Sequence, residues 1–321
     1  MNTIHNFINQ YSALLTTSAV LVFENALFVP HISKFDAAAI TVAANNTTTH
    51  ISVAASNVAE ITVVHITQGA DAKSHAHIHY TVGENAALHI TEIHCSTGEP
   101  NKTSSIDTLL SLENNAQCEY IHIQNLGAET QCTQEITIHQ KQNSQYTAHI
   151  YQLQGDALHT TLHIDKNGAG AHTSLYGLSY PKQKQHFEIQ TLVKHNCTDC
   201  ETTENFKIIA ADHSVGVFGG MIYVAPHAVK TAAKQSNKNI LLSPHARIFS
   251  KPQLEIYADD VSCNHGSSTG QLNEDALWYM QARGIAPEQA RQLLIQAFVH
   301  EITDLLPKEN VRELVIDLIN K

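Results

Sequence analysis

Thr147-Ala-His-Ile-Tyr-Gln-Leu153, then Leu158-His-Thr-Thr-Leu-His-Ile164: these two runs start roughly 11 residues apart and decide the fold class. Both are rich in Ile, Leu, Thr, Tyr and His, and apolar and polar residues largely alternate. That is the pattern of strands with one buried face. Similar runs lie on either side. Upstream are Ile51–Ala54, Ile61–Ile66, His77–Val82, Leu88–Ile93, Cys118–Ile123 and Glu135–His139. Downstream are His186–Val193, Asn205–Ile209, Val215–Val224, Arg247–Phe249 and Leu254–Tyr257. Consecutive runs begin roughly every 10 to 14 residues, too close for a crossover helix between parallel neighbours. Hairpin chemistry is also scarce. Asn-Gly occurs once, at Asn167-Gly168, Asp-Gly is absent, and the whole chain holds 14 glycines. Strands that follow one another with neither hairpins nor helices predict a coil of strands, the parallel β-helix. A large β-sandwich is the alternative.

The ends read differently. Ile4, Phe7, Ile8 and Tyr11 have helical spacing, so a short N-terminal helical segment is assigned to residues 1–35 and the β-helix to 36–270. Residues 271–321 read as helical. Asn273–Arg283 carries Ala276, Leu277 and Met280 on one face, and Gly284 stands at the helix C′ position. Pro287 opens a second helix at its favoured first position. Its apolar stripe is Ala290, Leu293, Leu294, Ala297, Phe298, Ile302 and Leu305, and Pro307 ends it. A third helix carries Val311, Leu314, Val315, Leu318 and Ile319. These stripes either fold back on the β-body or offer a docking element to a partner.

Bulk properties narrow the function. The chain has 321 residues, 43% of them apolar, enough for a sizeable core. Lys and Arg number 19 against 30 Asp and Glu, a net charge of −11 that argues against binding nucleic acid. The apolar residues 13–23 follow no basic region and are too short to span a bilayer, so a cytoplasmic protein off the membrane is expected. The six cysteines are scattered, as free thiols would be. The 22 histidines are a compositional anomaly.

Several groups could carry chemistry. His75, His77 and His79 share one strand face and could bind a metal, but a solvated strand face is the preferred reading. Cys197 and Cys200 form a lone Cys-x-x-Cys that could bind a soft metal with His195; two loop thiols explain it better. Cys263-Asn264-His265 closes the β-region, and its thiol and imidazole project to one side of an extended segment. Read bare, it is a buried cysteine beside a loop histidine. Phosphate-binding loops and nucleophile elbows are missing, Gly219-Gly220 marks a bend in a strand, and the neighbours Asp259 and Asp260 point to opposite faces.

Four segments carry a resemblance: Glu201–Phe206, Val229–His245, Lys251–Leu272 and Leu277–Ile285. Together they resemble the SufB/SufD family of iron–sulphur cluster assembly proteins, and the Cys263-Asn-His265-Gly form resembles the SufD side of it. The specific match covers about residues 200–300. The resemblance implies a right-handed parallel β-helix flanked by helical regions. It implies a non-catalytic scaffold that pairs with a SufB-like paralogue through the C-terminal end of the β-helix. It also implies docking of a SufC-like ATPase on the C-terminal helices, here through Leu277, Met280, Leu293, Leu294, Ala297 and Phe298. His265, with Cys263 beside it, then lies at the subunit seam where a nascent cluster forms. Asn264 stands where Ser is commoner and leaves both candidate ligands in place. No permanent cofactor is expected; iron or a transient cluster would be held jointly with the partner, and the isolated chain could form a homodimer. A β-helix polysaccharide-active enzyme and a His-rich metal-binding protein are the alternatives.

Overall fold

The computed structural model describes residues 19–35, 40–45, 48–97 and 99–320. The chain opens with short strands, β1 (Ala19–Glu24), β2 (Leu27–Phe28), β3 (Thr41–Ala44) and β4 (Thr48–Val53). Longer ones follow: β5 (Val58–Thr67), β6 (Lys73–Val82), β7 (Ala87–Ser96), β8 (Lys102–Leu112) and β9 (Gln117–Asn125). Next come β10 (Thr130–Gln140), β11 (Gln145–Gln154), β12 (Ala157–Lys166), β13 (His172–Ser179) and β14 (His186–His195). The series ends with β15 (Glu201–Ala210), β16 (Val215–Val224), β17 (Thr231–Leu241), β18 (Arg247–Ile256) and β19 (Val261–Gly270).

Two sheets form. Odd-numbered strands from β5 to β19 stack in one, extended at its start by β1 and β2; even-numbered strands from β4 to β18 stack in the other, extended by β3. Neighbours are parallel throughout, apart from the β1–β2 and β3–β4 pairs. Each turn of the chain thus lays one strand in each sheet, giving a parallel β-helix of about eight turns. Val58 pairs with Ala87, Ala87 with Gln117 and Gln117 with Gln145, so one coil takes about 29 residues. All-parallel pairing rules out the sandwich.

The scarcity of hairpin signals has a local explanation. A coil corner needs one left-handed residue, not a two-residue hairpin turn, and Asn tolerates that region. Asn85, Asn115 and Asn143 take φ of 56°, 57° and 55° at successive corners. Their amides stack, Asn115 Nδ2 donating to Asn85 Oδ1 at 2.9 Å and Asn143 Nδ2 to Asn115 Oδ1 at 3.3 Å. Even Asn167-Gly168 lies at a corner. A Cβ on Gly168 would sit 2.0 Å from the Gln142 backbone nitrogen of the coil before it.

Alternate residues point between the sheets, where Ile61, Ile90, Tyr120, Ile138, Ile164 and Phe218 belong to one core. The outer face of the odd-numbered sheet is also covered. Ile66, Ile93, Ile121, Ile123, Tyr151 and Ile209 form a second cluster with residues of the C-terminal helices. This is why β5 and β7 end in nearly unbroken buried runs.

Three helices follow β19: α1 (Glu274–Ala282), α2 (Pro287–Thr303) and α3 (Glu309–Ile319). Asn273 caps α1, its side chain accepting from the Ala276 N–H at 3.0 Å, and Gly284 takes φ of 87° just past the end. Of the two fates open to these helices, α2 and α3 fold back on the body through Val299, Ile302, Val311, Val315 and Leu318. The α2 stripe needs correction. Val299 and Leu306 are buried, whereas Leu293, Ala297 and Leu305 face solvent. The helix has turned to lay Val299 and Ile302 on the sheet, and its surface is set by what it packs on. Lys207 of β15 pins this contact. It is buried, donates to Phe298 O and Glu301 Oε2, both at 2.7 Å, and lies 3.9 Å from the Phe298 ring centre. Within the segment 1–35, residues 19–24 and 27–28 are strand, β1 pairing parallel with β5. The helix expected at Ile4–Tyr11 lies outside the described residues.

Candidate functional site at the open end of the β-helix

Among the described residues no coil lies above the last one. There β18 pairs with β16 alone and β19 with β17 alone, so both present an uncovered backbone edge. Ile248, Ser250, Pro252 and Leu254 of β18 are half-buried. Ile248 and Leu254 pack on the core, as do Val261 and Cys263 of β19. Ser250 and Ser267 join the two strands through a 2.7 Å hydroxyl contact. From Asn264 to Gly270 every residue of β19 is exposed, His265 included. Phe249, Ile256 and Tyr257 leave 58%, 39% and 59% of their surface open on and beside β18. Exposed edges and apolar side chains at a solenoid terminus are what a second chain would cover.

Cys263 and His265 are therefore neighbours on one strand at the rim, above Ala233 and Gln235. Burial pushes the Cys263 thiol up, so at neutral pH it is a thiol. A metal or a cationic neighbour would be needed to make it a thiolate ligand.

Register adds what the sequence reading passes over. Ile61, Ile90, Tyr120, Ala148, Leu175, Glu204, Gln235 and His265 stand in one inward column, one per coil. The column is almost wholly apolar up to Leu175 and polar from Glu204 to the rim. Gln235 Nε2 donates to Glu204 Oε2 at 2.6 Å, and Thr191 Oγ1 donates to the same oxygen at 3.2 Å. Glu204 Oε1 and Gln235 Oε1 are buried without a hydrogen-bond partner. Burial pushes the Glu204 carboxyl up from 4.5 to about 7, against the pull of those two hydrogen bonds. One sign was legible: Thr202, Glu204 and Phe206 share a strand face, and Phe206 marks that face as the inner one.

This shift has a testable consequence. A carboxyl raised in the folded state costs nothing below its unfolded value near 4.5, and its cost grows until pH passes about 7. Glu204→Gln keeps the acceptor for Gln235 and removes the charge. The variant is expected to match the parent at pH 4 and to be more stable by up to about 3 kcal/mol at pH 8. Thermal melts at both pH values check it; an equal difference at both would show that the charge of Glu204 is not the cause.

The other candidates separate. His75 and His77 meet Asp107 of β8, at 2.9 and 3.2 Å, whereas His79 turns to His50. Cys200 is buried and its thiol donates to Gly168 O and Thr198 O, both at 3.5 Å. His195 is also buried and meets Thr202 Oγ1 at 2.8 Å. Among the described residues, two groups bring three metal-ligating side chains together, His65/Glu92/His94 and His75/His77/Asp107; neither contains Cys197 or Cys200. Asp259 and Asp260 are exposed on the turn before β19.

A family model described as "SUF system FeS cluster assembly, SufBD core domain" matches residues 64–298. The chain belongs to the SufBD family. The match runs from β5 into α2 and takes in the whole rim with Cys263 and His265. This SufBD-family chain is similar to the iron–sulphur cluster assembly protein SufD of Escherichia coli, with 28% identity over 263 residues. That alignment covers 81% of this chain and 62% of the relative. A SufBD family protein of Synechocystis is 30% identical over 66% of this chain and 47% of its own length. The chloroplast protein ABCI7 of Arabidopsis thaliana is 29% identical over 63% and 43%. The chain thus spans less than two thirds of each of these relatives.

The residues expected to dock an ATPase fall into two sets. Leu277 is buried with Leu272 and Ala290, and Met280 and Leu294 pack against them. Phe298 is half-buried beside Lys207. Leu293 and Ala297 face outward, as do Trp278 and Tyr279, 73% and 63% exposed.

Proposed function

We propose that this chain is a SufD-type scaffold subunit that pairs end to end with a SufB-like paralogue and carries a SufC-like ATPase on α1 and α2. The observation that supports it most is the uncovered last coil, with His265 on its rim and a polar column beneath. A second β-helix can pair with both edges and bury Phe249, Ile256 and Tyr257. In the closed seam His265 and Cys263 supply part of a ligand set for iron or a nascent cluster, and the partner supplies the rest. Iron–sulphur clusters are held mainly by Cys, with His an occasional ligand. A site split between two chains releases its cluster when the seam opens, and ATP-driven movement of the docked ATPase is the switch. The chain itself turns over nothing; the cluster is cargo. A cytoplasmic location belongs to this proposal. Among the described residues no helix is long and apolar enough to cross a membrane.

Two variants with opposite effects test it. Ser250→Lys with Ser267→Lys puts like charges where the two rim strands meet. It is expected to weaken binding of the SufB-like paralogue at least tenfold and to leave ATPase binding unchanged. Leu293→Asp, on the open face of α2, is expected to do the reverse. Titration calorimetry with each partner reads both. If neither variant changes either affinity, these surfaces are not the interfaces.

A further inference from the structure

Glu92 lies in the first full coils with 0% exposure, and among the described residues no Lys or Arg pairs with it. Its partners are imidazoles. His94 Nε2 is 2.7 Å from Glu92 Oε1, and His65 Nε2 is 3.5 Å from the same oxygen. The three ligand atoms lie within 4.8 Å of one another. His65 and His94 come from adjacent strands in register, their rings stacked with centres 4.6 Å apart. His122, directly beside Glu92 on β9, stands edge-on to His94 at 4.6 Å. Both of its ring nitrogens are buried without a hydrogen-bond partner, and so is His65 Nε2.

A buried carboxylate without a cation, ringed by imidazole nitrogens that lack donors or acceptors, is costly as a purely structural cluster. We propose that His65, His94 and Glu92 bind one divalent d-block cation, zinc or ferrous iron, inside the N-terminal coils of the β-helix. Two imidazoles and a carboxylate form a borderline donor set that suits these ions and not calcium or magnesium. Tetrahedral bonds of about 2.1 Å put ligand atoms about 3.4 Å apart. The His65–Glu92 distance already fits, and the His94–Glu92 pair has only to open by a fraction of an ångström. The surrounding groups suit the site too. Tyr80 OH donates to Glu92 Oε2 at 3.4 Å, and Cys132 Sγ stands 4.0 Å from His94 Nδ1, the nitrogen facing away from Glu92. Phe23 stacks on His65 at 4.9 Å and closes the N-terminal side. The ion is therefore taken up as the first coils fold, and it locks them. The site is separate from the rim. β7 and β19 are six strands apart in the sheet, about 29 Å at the usual spacing.

The test is to unfold the full chain in chelator and refold it anaerobically with cobalt(II) as a spectroscopic probe. One cobalt per chain is expected, with visible bands of a tetrahedral site, displaced by zinc and accompanied by a higher unfolding midpoint. Glu92→Gln and His65→Gln are expected to weaken binding at least tenfold. Replacing His75 and His77 by Asn, at the exposed pair on Asp107, or His265 by Ala, is expected to change nothing. A refolded parent chain that takes up no stoichiometric cobalt overturns the proposal, as does full uptake by Glu92→Gln. If the core variants do not refold, the His75/His77 variant decides: loss of the cobalt there places the ion at the surface and sinks the internal site.

Discussion

His265→Ala is expected to lower the rate of cluster assembly by the reconstituted complex at least tenfold while leaving the fold intact. Loss of a metal ligand or of the group that orients one typically costs 10- to 100-fold. The imidazole is exposed on an edge strand, so removing it leaves no cavity and should change stability by less than about 0.5 kcal/mol. The assay is anaerobic assembly from iron and sulphide, followed by the visible absorbance of the cluster, with melting curves and partner binding as controls. A normal assembly rate in a correctly formed complex would remove His265 from the proposed site.

Val315→Asp is expected to be the most destabilising of the changes considered, by at least about 3 kcal/mol. Val315 of α3 is fully buried in the cluster that joins the helices to the outer sheet face. A carboxylate there would stand among apolar side chains, Val299, Ile302, Val311 and Leu318 belonging to the same cluster. The helices should detach before the coils unwind, because each coil rests on its neighbours and not on the helices. Detachment bares Ile66, Ile93, Ile121, Tyr151 and Ile209, so binding of a hydrophobic dye should rise before the β-sheet signal is lost. A melting temperature within about 2 °C of the parent would show that α3 does not hold this face closed.

Much of the fold was readable because its rules are local. Alternation along Thr147–Leu153 and Leu158–Ile164 marks strands, the short spacing forbids crossover helices, and Gly284 and Pro287 punctuate the helices where the structure breaks them. The face of α2 was not readable. Leu293 and Leu305 are as apolar as Val299 and Leu306, and only the sheet they meet decides which pair is buried. The site was half readable. Cys263 and His265 lie two apart on one strand, a relation that any extended segment preserves.

The polar column and the internal histidine cluster are of another kind. Glu204 pairs with Gln235 and Gln235 with His265, whereas Ala148 pairs with Leu175 across a shorter coil. Coil lengths vary, so no constant offset predicts which residues stack. The sequence by itself determined the strands, the helical end and the thiol–imidazole pair on the last strand, since each depends on residues close along the chain; it favoured the parallel coil over a sandwich, and the parallel pairing decided between them. Only the tertiary structure decided that Glu204 lies two coils beneath His265, and that His65, Glu92 and His94 converge inside the solenoid. Register between coils is set by hydrogen bonding and core packing between segments far apart in sequence, and no local pattern encodes it.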